Sequence, residues 1–95
     1  MASAVRRYRV EGEVQGVGFR WFVREQARAL ALSGWVRNEP DGAVVLVASG
    51  EAVALDALEH QLRVGPTHST VTEVVRRELT SFDAIGLPAA FTISR

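Results

Sequence analysis

The chain contains no cysteine and no lysine. Without cysteine there is no disulfide, no zinc–thiolate site and no thiol nucleophile. Without lysine there is no Schiff-base chemistry through a side-chain amine. All eleven basic residues are therefore arginines, and eleven acidic residues bring the formal net charge to zero. That balance disfavours a general polyanion binder, because affinity for a phosphate backbone needs a basic excess. Long apolar runs are missing too: the longest, Ala43 to Ala48, is far too short to span a bilayer. No apolar stretch follows Arg6 and Arg7 as a signal peptide requires, so a cytoplasmic location is the expectation. The two histidines, His60 and His68, are expected on a helix and in a loop, neither of them catalytic. No metal or cofactor is expected.

What is present is ordinary globular composition, 47% apolar and 23% charged. Residues 1–95 are expected to form one domain, long enough for one core and too short for two. From about Arg6 to Val14, Tyr8, Val10, Gly12 and Val14 alternate with Arg7, Arg9, Glu11 and Glu13. A period of two predicts a strand with one buried and one wet face, Gly12 leaving room for a packed helix. Phe19, Phe22, Val23, Ala27, Leu30 and Ala31 then recur at helical spacing, predicting a helix to about Leu32 ended by Gly34 as its left-handed residue. Trp35 to Glu39 and Ala43 to Ser49 read as a hairpin about Pro40-Asp41-Gly42. The second of these strands is apolar on both faces, which predicts a central position. A helix over about Glu51 to Arg63 buries Leu55, Leu58 and Leu62 and stops at Gly65-Pro66. A strand over Val71 to Leu79, a loop over Thr80 to Ala90 and a short strand over Phe91 to Arg95 follow.

The order β-α-β-β-α-β plus a short C-terminal strand predicts an α+β fold, the ferredoxin-like sandwich. Two helices should cover one face of an antiparallel sheet.

One stretch carries a missing cap and a misplaced charge that turn geometry alone does not explain. Val14-Gln15-Gly16-Val17-Gly18-Phe19-Arg20 opens the first helix without a Ser, Thr, Asp or Asn cap. It also places Arg20 at the positive end of the helix dipole, which costs roughly 0.3–1 kcal/mol when nothing compensates it. A bound phosphate would compensate both, because glycine-freed amides and a guanidinium grip its oxygens together. On spacing alone, this anion site and a plain strand-to-helix turn stay equally open. The stretch lacks the lysine of the P-loop and the third glycine of the dinucleotide fingerprint. Val14 and Arg20 have the separation of Cys and Arg in cysteine-dependent phosphatases, but valine cannot form a phosphocysteine. Such a cradle without a nucleophile implies direct attack by water.

With Gly34-Trp35-Val36-Arg37-Asn38, this stretch resembles the acylphosphatase family. Pro40-Asp41-Gly42, Gly65-Pro66, and Phe91 with Ile93 and Arg95 extend the likeness from about Val5 to Arg95. The resemblance implies a ferredoxin-like fold and hydrolysis of acyl phosphates to a carboxylate and inorganic phosphate. It further implies that Arg20 and the backbone amides of Gln15, Gly16, Val17, Gly18 and Phe19 hold the phosphoryl group. Asn38 then orients the attacking water. A small-molecule acyl phosphate is the expected partner of a monomer, with no nucleic acid, membrane or metal. Thr67-His68-Ser69-Thr70 departs from the family pattern, and Glu39 sets a carboxylate beside Asn38, pointing away if the strand alternates.

The remaining candidates read as structural. Trp21 and Trp35 are expected in core or rim packing, Asp41 as a turn residue, and Arg37 as a solvated strand residue. A base-stacking module is disfavoured because the central strand carries no aromatic residue. A non-catalytic phosphate-binding domain has no use for the water-holding Asn38.

Overall fold

The structure, a computed structural model, describes residues 2–94. Its elements in order are β1 (Ser3–Glu13), α1 (Phe19–Ala29), β2 (Ser33–Asn38), β3 (Val44–Glu51), α2 (Ala52–Val64), β4 (Thr70–Leu79) and β5 (Thr92–Ile93). A short 3-10 turn, Ser81–Ala84, interrupts the loop before β5. The strands join in the order β4-β1-β3-β2-β5. Pairing is antiparallel among β1 to β4, whereas β5 lies parallel to β2, so the sheet is mixed rather than wholly antiparallel. Arg95, expected in the last strand, lies outside the described residues.

Alternation decides which face is covered. Tyr8 pairs with Leu46, and Leu46 with Val36; Val10 pairs with Val44 and Val74. All six are buried, and they meet Phe19, Val23 and Ala27 of α1 and Leu55, Leu58 and Leu62 of α2 in one core. On the opposite face of β3, Val45 lies in register between Arg9 and Arg37, and Val47 between Arg7 and Trp35. Both valines are buried without a helix above them. Long side chains such as these arginines cover apolar surface with their stems while their heads stay wet.

β1 starts earlier than the wet-face pattern implies, and Arg6 faces α2. Only 6% exposed, Arg6 donates to Asp56 Oδ1 at 2.7 Å, and its Nε stands 3.0 Å from Glu78 Oε1. The N–H is not aimed squarely at that carboxylate, so the Nε is left without a hydrogen bond.

Two glycine assignments are corrected. Helix α1 does not end through Gly34: Ala31, at φ 57°, is the left-handed residue. Leu32 N donates to Ala27 O at 2.9 Å and Ala31 N to Arg28 O at 3.1 Å, the paired bonds of a Schellman ending. Gly34 instead sits inside β2 at φ +139°, where a Cβ would overlap the Val47 carbonyl oxygen. Gly12 likewise meets the backbone of β4 at a bulge rather than a helix. The core stripe of α1 is also narrower than its sequence period, since Ala31 lies exposed beyond the helix end.

Candidate active site

The glycine loop runs from the end of β1 into α1. Gly18 is the N-cap residue, left-handed at φ 78°, ψ 19°, and no side chain caps the helix. The first turn holds no acidic residue. Among the described residues no backbone N–H from Gln15 to Trp21 donates to a protein acceptor. Gly16, at φ 77°, is left-handed too, and the backbone can hold this shape only because neither position carries a Cβ. The result is a run of free donors at the positive end of a helix. Arg20 adds its guanidinium there and makes no hydrogen bond or ion pair among the described residues.

Across from the loop stands the end of β2. Its last residue, Asn38, has a buried side-chain oxygen, Oδ1, that accepts no hydrogen bond. An orphaned acceptor of this kind costs about 1–3 kcal/mol. The hairpin that follows is tightly tied: Glu39 N donates to Ala43 O at 2.8 Å and Gly42 N to Glu39 O at 3.1 Å. Asp41 Oδ1 accepts from Ala43 N at 3.1 Å and Asp41 Oδ2 from Arg9 at 2.5 Å. The Arg9 hydrogen bond, and then the Ala43 amide, hold the Asp41 carboxyl below its ordinary value.

Among the described residues one side chain joins loop and hairpin by hydrogen bonds. Gln15 Nε2 donates to Glu39 O at 2.7 Å and to Ala43 O at 2.9 Å. Its amide group therefore bridges the glycine loop to the turn that carries Asn38.

Between these parts lies a cavity of about 480 Å³. It is lined by Gly16, Gly18, Arg20 and Asn38 together with the apolar Val14, Phe19, Trp21 and Ile93. Among the described residues no acidic side chain lines it. Glu39 is paired instead with Arg37 at 3.1 Å, and Arg37 stacks 4.7 Å above the Trp35 ring. Strand alternation carries that group to the side opposite Asn38.

The acylphosphatase family model matches residues 6–92. The chain belongs to that family. An acylphosphatase of Nitratidesulfovibrio vulgaris (strain DP4) is 50% identical over 88 residues, covering 93% of this chain and 87% of that one. The crystal structure of acylphosphatase from Bacillus subtilis superposes with a TM-score of 0.90 at 36% identity, over 99% of this chain and 100% of the other. The structure of an acylphosphatase from Coxiella burnetii gives a TM-score of 0.87 at 35% identity, over 97% of this chain and 93% of the other.

Set on this acylphosphatase fold, the residues singled out by sequence divide into two groups. Arg20, Asn38, Gly16, Gly18 and Phe19 all line the cavity. Gln15 and Val17 are in the loop but do not line it: Gln15 turns its side chain to the hairpin, and Val17 packs against the core. His60 and His68 are both exposed and away from the cavity. Trp21 is not in the core; it is 58% exposed at the cavity. Its position gave a signal, because it falls off the buried stripe of Phe19, Val23 and Ala27 while adjoining Arg20. Ile93 gave none, since only the parallel pairing of β5 with β2 brings it there.

Proposed function

We propose that the protein, as one domain over residues 1–95 and as a monomer, hydrolyses acyl phosphates without a metal ion. Arg20 and the amides of the Gln15–Arg20 loop take the phosphoryl oxygens, and Asn38 Oδ1 accepts a hydrogen bond from the attacking water. The water oxygen forms a new bond to phosphorus as the bond from phosphorus to the acyl oxygen breaks. The bonding pair leaves on the carboxylate, and the proton of the water passes to a phosphoryl oxygen. Products are one carboxylate and one inorganic phosphate.

Carboxylate is a good leaving group, so positioning and charge stabilisation carry most of the demand. An Asn amide orients water but is no base, which is why the proton goes to the substrate. Arg20 supplies fixed charge at any working pH.

The observation that carries this reading is the orphaned, buried Asn38 Oδ1 at the same cavity as the unpaired Arg20 and the uncapped amides. A satisfied Asn would suit a structural turn; an acceptor kept free beside anion donors suits a water. The test is hydrolysis of acetyl phosphate with and without a chelator, together with calorimetric binding of inorganic phosphate. Activity should survive chelation. Arg20→Ala should cost at least about 10³-fold in kcat/KM and lose phosphate binding. Asn38→Ala should cost about 10²-fold in kcat with phosphate still bound. Wild-type turnover by Asn38→Ala would refute the assigned role of Asn38.

A further inference from the structure

The helix-free face of the sheet carries a second cavity, at the end of β1 far from the glycine loop. The run from Val5 to Val14, roughly 30 Å of mostly extended chain, separates the two. This second space, about 320 Å³, is lined by Val5, Ser49, Leu79, Ser81 and Ala84 among others, and none of its lining residues is charged. Its floor is one rung of the sheet, because Val5 pairs with both Ser49 and Leu79. Val5 is buried, yet it lies outside the core between sheet and helices. The 3-10 turn Ser81–Ala84 supplies another wall, and Phe82 and Ile85, in and beside that turn, are left strongly exposed. The next rung, about 7 Å along the strands, is Arg77, Arg7, Val47 and Trp35. Arg7 and Arg77 stand directly opposite each other on one face, a like-charge pairing that destabilises a sheet. The other arginines of this face are neutralised, Arg9 by Glu11 at 3.0 Å and by Asp41, and Arg37 by Glu39 at 3.1 Å. Arg7 and Arg77 make no hydrogen bond or ion pair among the described residues. Asp83 acts on Arg77 only at a distance, its carboxylate being held by the Thr80 amide at 2.8 Å and the Thr80 hydroxyl at 2.9 Å.

Two unneutralised guanidiniums beside an uncharged pocket fit a ligand with one anionic and one apolar end. We infer that this end of the open face binds a medium-chain carboxylate, its head on Arg7 and Arg77 and its tail over Val5, Leu79 and Ala84. Charge complementarity selects the head. A carboxylate accepts from a guanidinium at each oxygen and offsets the repulsion between the two arginines. Volume selects the tail. The space falls at the small end of the range for small-molecule sites, and an engineered cavity of about 150 Å³ already holds benzene. The site shares no lining residue with the cavity of Arg20 and Asn38, so it stands or falls independently of the hydrolysis reading.

The test is calorimetric titration with butanoate, octanoate and octylammonium. Octanoate should saturate one site and bind more tightly than butanoate, by about three- to fourfold for each methylene the pocket buries. Octylammonium should not bind. Arg20→Ala should bind octanoate as the wild type does, and octanoate should shift the backbone amide resonances of Ser49, Leu79 and Ala84 rather than those of Gly16 and Gly18. Replacing both guanidiniums, Arg7→Gln with Arg77→Gln, should weaken octanoate at least about tenfold. Arg77 is exposed, so Arg77→Gln alone keeps the fold and should weaken octanoate severalfold. Ser49→Leu fills the pocket from its floor and should abolish the gain from the longer tail. Failure of octanoate to saturate one site overturns the proposal. So does equal affinity for octanoate and octylammonium, or for octanoate and butanoate. Octanoate binding that Arg77→Gln leaves unchanged, or that Arg20→Ala removes, overturns it as well, the last by placing the ligand in the other cavity.

Discussion

Replacing Gln15 by Met keeps the length and shape of the side chain and removes both of its donors. The structure gives the size of the effect. Gln15 Nε2 makes two hydrogen bonds, to Glu39 O and Ala43 O. Each acceptor also takes a backbone bond, from Gly42 N and Glu39 N respectively, so neither carbonyl is orphaned by the change. Two net hydrogen bonds at the lower end of their range give a loss of about 1–2 kcal/mol in stability, read as a shift in a urea midpoint. The effect on turnover should be larger. Gln15 ties the amides proposed to hold phosphate to the turn that carries Asn38, and a misplacement of about 1 Å costs about 10²-fold. Gln15→Met should therefore lower kcat by about 10- to 100-fold while phosphate affinity changes little, because Arg20 and the helix end remain. Gln15→Glu, which turns a carboxylate toward two carbonyl oxygens, should be at least as damaging. A Gln15→Met protein that loses stability as stated but keeps kcat within about twofold would refute the reasoning. Gln15 would then brace the hairpin and have no part in registering the site.

Other expectations follow from the backbone and from charge. Ala31→Gly relieves a left-handed non-glycine residue and should raise stability by about 1 kcal/mol, whereas Gly34→Ala drives a Cβ into the Val47 carbonyl and should destabilise β2 strongly. Paired urea titrations would expose the opposite signs; a common sign would contradict the assignment of Ala31 as the helix-ending residue. Asp41 has a folded pKa below its unfolded value through Arg9 and the Ala43 amide, so its contribution is complete above the ordinary carboxylate value of about 4. As pH falls below that value through the folded pKa, the contribution disappears. Asp41→Asn should accordingly lower stability at neutral pH and flatten the acid limb, so that the two proteins converge at low pH in thermal melts at stepped pH.

Most of the fold was legible because period-two and helical patterns are local. The alternation of Tyr8, Val10 and Val14, the two helix stripes and Pro40-Asp41-Gly42 each fix an element from its own neighbours. Asn38 and Arg20 stand out in a different way, through a resemblance carried by two separated motifs, and the structure brings both to one cavity. What escaped depends on contacts between distant strands. Gly34 looks like a helix stop when read beside Leu32, and only the pairing of β2 with β3 shows the carbonyl it makes room for. Ala31 escaped because a left-handed alanine has no sequence mark. For Trp21 the residue type leaves core and rim packing both open, and its exposure at the cavity follows from which helix face meets the sheet. The side-chain bonds of Gln15 required a loop and a hairpin to be placed together.

The parallel seating of β5 beside β2 bears on biosynthesis. Ser94 N donates to Val36 O at 2.7 Å, and Ile93 lies opposite Val36, so one wall of the cavity comes from the far end of the described chain. During translation the glycine loop and Asn38 emerge early, but the Ile93 wall arrives only after α2 and β4 have been made. Long-range pairings of this kind form slowly. If phosphate binds the closed cavity as proposed, and not the open chain, it stabilises finished molecules by mass action. A cell rich in phosphate would then shield completed copies from proteolysis more than nascent ones.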